Sequence, residues 1–423
     1  MSLSKQMWQQ NFITPPINIC NINKRIDVIS PANIFLCSFL ICSTAYISIY
    51  DFWKVDLSFE TFALMTSSCL LFIITSKIID VLFSKYYKIQ RNTLADIEYN
   101  KISRLAYCFM LAISIIYIVS GFHNISVYGS MEYKNILSTN NLSGHYFSIQ
   151  VNKLVYAFSY VGLYEIVTNL VGKKYNIRSQ LLAIITVLFC NFAFSITVMS
   201  RQNFIEFVVA FFIIWIVFKR DCGSFSFKNI INIISIVLII PVMFFYSSEL
   251  VGRDFTRIST YGIQKYVSIY MSCGINYFNR EIITHPFSTE YFGQSSFAGL
   301  FKNFIGILVP DNVQDMTKHA YSIDYGNTVT IFGRWFEDGG YIMVIFMTIL
   351  LAGSATYFYN KYLKFGRKSP IGLILYAKYV GILLWAGYDN RLALSLSLDQ
   401  IQQIVYIYIL FHLLLKTRIK IRI

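Results

Sequence analysis

The chain has 423 residues, 56% apolar and 17% aromatic, with only 14% charged and a formal charge of +14. A soluble domain carries about a quarter charged residues, so a mean hydropathy of +0.53 excludes a water-filled fold and implies a chain solvated largely by lipid. The positive charge lies mostly in alternate connecting segments, which excludes a nucleic-acid footprint and marks membrane topology instead.

Lys5, Lys24 and Arg25 precede a first long apolar stretch that begins near Pro31, too late for an ordinary cleaved signal peptide and therefore read as a retained span. A span of the hydrocarbon core needs about 20 apolar residues, and ten stretches qualify: 32–50, 61–83, 103–121, 152–171, 180–199, 203–218, 229–247, 340–359, 370–387 and 394–415. The expected fold is thus all-α, a polytopic integral membrane protein of about ten transmembrane helices forming one membrane domain over 1–423. Basic residues set its direction. Lys77, Lys85, Lys88 and Arg91, then Lys173, Lys174 and Arg178, then Lys219, Arg220 and Lys228, then Lys361, Lys364, Arg367 and Lys368 fall on one side, together with both termini. That side is the cytoplasm. The intervening Asp51–Glu60 segment has one lysine against three acids. The cysteines are scattered, Cys37, Cys42, Cys69, Cys108 and Cys190 within apolar runs, so no disulfide framework is expected.

The long connection 248–339 is the one large extracytoplasmic loop. Within it Phe297, Leu300, Phe301, Phe304, Ile305 and Leu308 recur at helical spacing before Pro310, predicting an amphipathic helix on the outer leaflet or over the bundle. A weaker one is predicted over 263–279.

Arginines gather on the same side: Arg201 in a tight turn between two spans, Arg253, Arg257, Arg280 and Arg334 in the large loop, and Arg391 between the last two spans. The planar guanidinium grips phosphate oxygens two at a time and keeps its charge, so the cluster suits a lipid-linked diphosphate. The plainer reading of any one of them is an interface anchor or a loop salt bridge. Acid and base candidates in the loop are Glu249, Asp254, Glu281, His285, His319, Asp324, Glu337 and Asp338, of which Glu337 and Asp338 abut both the membrane surface and Arg334. Within the spans, Glu165, Glu206, Lys378 and Asp399 must face protein or water. They line a polar path for substrate, or form a buried ion pair such as Glu165 with Lys378. The five histidines are far apart and no metal, phosphate-loop or nucleophile-elbow motif occurs, so no metal or other cofactor is expected.

The segment Gly326-Asn327-Thr328-Val329-Thr330-Ile331-Phe332-Gly333-Arg334-Trp335-Phe336-Glu337-Asp338-Gly339-Gly340 runs straight into an apolar span. It resembles a motif of bacterial O-antigen polymerases of the Wzy type, N-x-x-T-x-F-G, four variable positions, then D-x-G, which Asn327, Thr330, Phe332, Gly333, Asp338 and Gly340 match. Arg334 departs from the family pattern, in which a proline or neutral residue stands. Ser200-Arg201, opening a span after an outer turn, is similar to the Ser-Arg element of these polymerases and the related ligases. The resemblance implies an inner-membrane glycosyltransferase with a periplasmic active face and periplasmic large loop. It would move a growing glycan from undecaprenyl diphosphate onto a new lipid-linked repeat unit. Its partners would be that lipid-linked oligosaccharide, membrane lipid and a chain-length regulator protein, with no nucleic acid. It also implies diphosphate binding by Arg201, Arg253, Arg257, Arg280, Arg334 and Arg391, and acid–base work by Glu337, Asp338 or His319. The rival readings are an O-antigen ligase and a polysaccharide flippase or transporter.

Overall fold

The computed structural model describes residues 27–86, 98–99, 101–129, 133, 146–172, 176–198, 200–221, 256–289, 291–301, 328–365, 369–415 and 417–418. Almost all of these are helical. We number the principal helices α1 (Pro31–Ser48), α2 (Phe59–Tyr86), α3 (Arg104–Tyr128), α4 (Tyr146–Val171), α5 (Leu181–Thr197), α6 (Arg201–Asp221), α7 (Thr256–Tyr277), α8 (Ile331–Tyr359), α9 (Pro370–Leu384) and α10 (Leu398–Leu414). Seven of them, α1 to α6 and α8, are long and apolar enough to cross a membrane, and α9 and α10 are shorter apolar helices. The stretch 229–247, expected as a further span, lies outside the described residues. So do residues 302–308 of the expected amphipathic helix, of which the short helix Ala298–Leu300 is described.

Helix starts follow local chemistry. Ser30, Ser103, Thr330, Ser369 and Ser397 each accept a hydrogen bond from a first-turn N–H, and Pro31 and Pro370 occupy first positions where no N–H is missed. The helices then pack as two groups. Tyr156, Tyr160 and Val161 of α4, Val187 of α5, Phe207 of α6, Val380 of α9 and Phe411 of α10 share one core. Phe35 and Phe39 of α1, Phe72 of α2, Ile269 of α7 and Phe332 and Met347 of α8 share another, which Leu383 of α9 joins. α4 is buried nearly all round, with Gly162 set directly against Val187 of α5. Such close approach through a small residue is how helices associate where the hydrophobic effect offers little. On the outside, Leu70, Ile74, Ile78 and Val81 of α2 and Ile342, Ile345, Phe346 and Ile349 of α8 are exposed, as lipid-facing residues must be.

One end of the bundle is latched by polar contacts. Asp27 accepts from Arg220 (3.2 Å) and from the Tyr359 hydroxyl (2.5 Å), while Asp80 accepts from Asn360 (2.7 Å) and Lys364 (2.9 Å). A two-residue ladder pairs Glu98–Tyr99 with Thr417–Arg418. The opposite end carries Trp53 and the described parts of the long connection.

Those parts are built into the bundle. α7 follows the far half of α1: Ser48 donates to Ser268, Trp53 Nε1 to Ser272 (2.9 Å), and Asn279 joins Ser58 and Asp56. The first eight residues of α8 then form a re-entrant arm. Ile331 N–H donates to the Ala386 carbonyl (2.9 Å), and the Phe332 ring stacks on Phe39 (4.7 Å), about 12 Å along α1 from its start. From there Ile331–Asp338 climbs to the Trp53 end, Gly339 and Gly340 reverse the chain, and Tyr341–Tyr359 descends beside α2. Gly340 sits at φ +56°, ψ −145°, and an added Cβ would meet Pro286 and Phe287 at 3.4 Å. Gly340→Ala is expected to cost about 1–3 kcal/mol, read as a lower thermal unfolding midpoint of the detergent-solubilised protein.

Candidate functional site

The arm delivers three charged side chains to the Trp53 end. Arg334 and Glu337 stand three residues apart and so share a helix face, with Arg334 Nη1 4.0 Å from Glu337 Oε2. Ser295 ties them together: its hydroxyl donates to Glu337 Oε2 (2.5 Å) and receives Arg334 Nη1 (3.3 Å). The Glu337 side chain is 7% exposed and that of Arg334 19%, so Arg334 is the more accessible of the two.

Asp338 is used differently. It accepts the Ser295 and Ser296 main-chain N–H groups (3.0 and 2.6 Å) and the Thr289 hydroxyl (2.9 Å). A buried carboxylate committed to three donors is a positioning group that pins Thr289, Ser295 and Ser296 onto the arm. Tyr277 looks onto the same place: burial first, and next the Glu337 carboxylate, raise its phenol above the ordinary value, so it remains a neutral donor there. Ala298–Leu300 continues from Ser296 onto the short helix Arg391–Ser395, where Gly299 lies so close that a Cβ would come within 2.8 Å of the Ala393 carbonyl.

That contact leads to a second polar group, deeper in the bundle. Arg391 Nε lies 3.4 Å from Asp389 Oδ2. Glu206, five residues into α6, is within electrostatic reach of Arg391, Lys378 and Asp389 and sits beside Trp385. Lys378 donates to Gln403 Oε1 (2.6 Å) over the rings of Tyr156 (4.7 Å) and Tyr160 (5.6 Å). The expected Glu165–Lys378 pair is therefore not formed. Glu165 instead accepts the Tyr107 hydroxyl (2.8 Å) and the Ile102 N–H (3.3 Å), and Asp399 takes Lys153 (2.6 Å).

The arginines named from the sequence have divergent placements. Arg280 donates to the Trp53 carbonyl (2.6 Å), which fixes the turn after α1. Arg334 and Arg391 belong to the two groups above. Arg201 opens α6 and Arg257 lies on α7, their side chains outside what is described, and Arg253 and His319 lie outside the described residues altogether. His285 is exposed and turned to the Thr284 hydroxyl (2.8 Å) and the Glu281 carbonyl (2.7 Å). Among the described residues, no three His, Cys, Asp or Glu side chains group as metal ligands. Ser295, Ser296 and Thr289 were missed by sequence reasoning, since the donors to Asp338 at 295 and 296 are main-chain N–H groups that any residue but proline supplies. No family model, no characterised protein and no solved structure is significantly similar to the chain.

Proposed function

We propose that the chain is a polysaccharide repeat-unit polymerase of the bacterial inner membrane. The observation that carries this reading is the arm: the motif Asn327 to Gly340 coincides, over its described part, with a buried re-entrant element that presents Arg334 at one end of an apolar bundle. The latched end holds Arg220, Lys361 and Lys364, so the positive-inside rule directs the arm to the periplasm. Lipid-linked substrates float in that leaflet.

The chemistry runs as a glycosyl transfer. The bond from the anomeric carbon of the growing glycan to undecaprenyl diphosphate breaks, and a hydroxyl of the next lipid-linked repeat unit attacks. Arg334 and Arg391, with Arg201, neutralise charge on the departing diphosphate by charge-assisted hydrogen bonds. Energy comes from the diphosphate linkage itself. Asp338 holds the loop, and Glu337 orients Arg334 through Ser295.

In a strain lacking the chain, surface glycan resolved on a gel should collapse to single repeat units, and the wild-type gene should restore the ladder. Complete loss of surface glycan would favour the ligase reading. An unchanged ladder would remove the basis for both.

A further inference from the structure

We infer that Glu206 is the catalytic base, the carboxylate that takes the proton from the acceptor hydroxyl; this rests on the glycosyl-transfer reading. Three observations converge on it. First, Glu206 lies about 8 Å inside α6, yet keeps part of its surface accessible, unlike Ile205 and Phe207 on either side. A carboxylate at that depth needs protein or water to face and marks a site by default. Its positive neighbours Arg391 and Lys378, with Asp389 opposing them, are the charges that face it from the other elements.

Second, N–H donors around it lack hydrogen-bond partners. Gln202 Nε2, one turn earlier on the same face of α6, is one, and Asn390 Nδ2, next to Arg391 in sequence, is another. Asn390 is only 2% exposed. Buried donors are normally satisfied, and these two can accept nothing in return at those atoms. They call for a ligand rich in acceptor oxygens, as sugars and phosphates are.

Third, α9 leaves room. Gly381 faces the Glu206 side chain, and a Cβ there would come within 3.0 Å of Glu206 Cγ. Glycine leaves the space that the Glu206 side chain takes against α9.

The step balances within the site. The acceptor O–H gives its proton to a Glu206 oxygen, the hydroxyl oxygen bonds to the anomeric carbon, and the carbon–oxygen bond to diphosphate breaks with its electron pair leaving on the phosphate. Arg391 sits where that charge develops. Neither Asp338 nor Glu337 is as well placed, since the first is consumed by main-chain donors and the second by Ser295 and Arg334.

The test is Glu206→Gln and Glu206→Asp in the complemented strain, beside Arg334→Ala, with membrane abundance measured by immunoblot. Glu206→Gln should lower elongated glycan about a hundredfold or more, as loss of a general base does, with single repeats accumulating and normal protein in the membrane. Glu206→Asp should retain a reduced ladder. Where Glu206→Gln does not reach the membrane, purified Glu206→Asp decides. A base role predicts an acid limb of the pH–rate profile displaced from wild type, and a structural role leaves the profile unmoved. A wild-type ladder from Glu206→Gln, with the ladder lost in Arg334→Ala, overturns the Glu206 assignment and leaves the polymerase reading standing. Wild-type ladders from both overturn the two together.

Discussion

Arg334→Ala is expected to lower long-chain glycan about 100- to 1,000-fold, the range seen when one donor to a developing oxyanion is removed, while the protein stays in the membrane at its normal level. The reasoning starts from the arm. Arg334 is seated by Ser295 and Glu337, with its side chain partly exposed at the Trp53 end. Truncation leaves the fold's apolar contacts alone, because Phe332, Trp335 and Phe336 carry the packing of the arm. Arg334→Lys should rescue poorly, since an ammonium offers a point charge where a planar fork is needed. Arg201→Ala should behave the same way. Densitometry of the glycan ladder, normalised to membrane-resident protein, measures both. Wild-type chain lengths in the two alanine variants would remove these residues from the diphosphate site.

Asp338→Ala has the largest expected effect on stability. Its carboxylate accepts two buried main-chain N–H groups and one half-buried hydroxyl. Removing a charged acceptor orphans those donors, each worth about 1–3 kcal/mol, so a total loss of about 3–5 kcal/mol is expected, as when one partner of a buried charged pair is removed. The thermal unfolding midpoint in detergent should fall well below that of Arg334→Ala. Asp338→Asn, which keeps one acceptor oxygen, should lie between. An Asp338→Ala protein as stable as wild type but inactive would return Asp338 to the chemistry.

Much of the bundle was legible because lipid imposes a simple rule: a stretch of apolar residues long enough to span, with lysine and arginine concentrated on one side. Pro31–Ser48, Phe59–Tyr86 and Arg104–Tyr128 follow it directly. The arm was not legible as an arm. Ile331–Asp338 is eight residues long, shorter than any hydropathy window, and merges in sequence with the span that follows. Only the Gly339–Gly340 turn separates them, and a glycine pair does not state which way the chain reverses. α7 was weak for a related reason. Its apolar residues are interrupted by polar ones that meet the far end of α1 and the turn after it, Ser268 at Ser48 and Lys265 over Phe52, so its pattern resembles a surface helix.

At the candidate site, residue types were legible and partners were not. Arg334 beside Glu337 follows from helical spacing. That Asp338, one residue on, points to a different task depends on Ser295 and Ser296, some forty residues earlier, and local pattern carries nothing about that pairing. Lys378 was one candidate partner for Glu165. Gln403 and the faces of Tyr156 and Tyr160 meet it instead, because a buried ammonium can be satisfied by an amide oxygen and by ring quadrupoles as well as by an anion.

Reconstitution tests the central claim most directly. The purified chain in proteoliposomes is given an oligosaccharide repeat unit on undecaprenyl diphosphate, with no nucleotide sugar. The account predicts products lengthened by whole repeat units, with free undecaprenyl diphosphate released in step with each addition. Repeat units that stay single while the protein is folded and correctly inserted would contradict it.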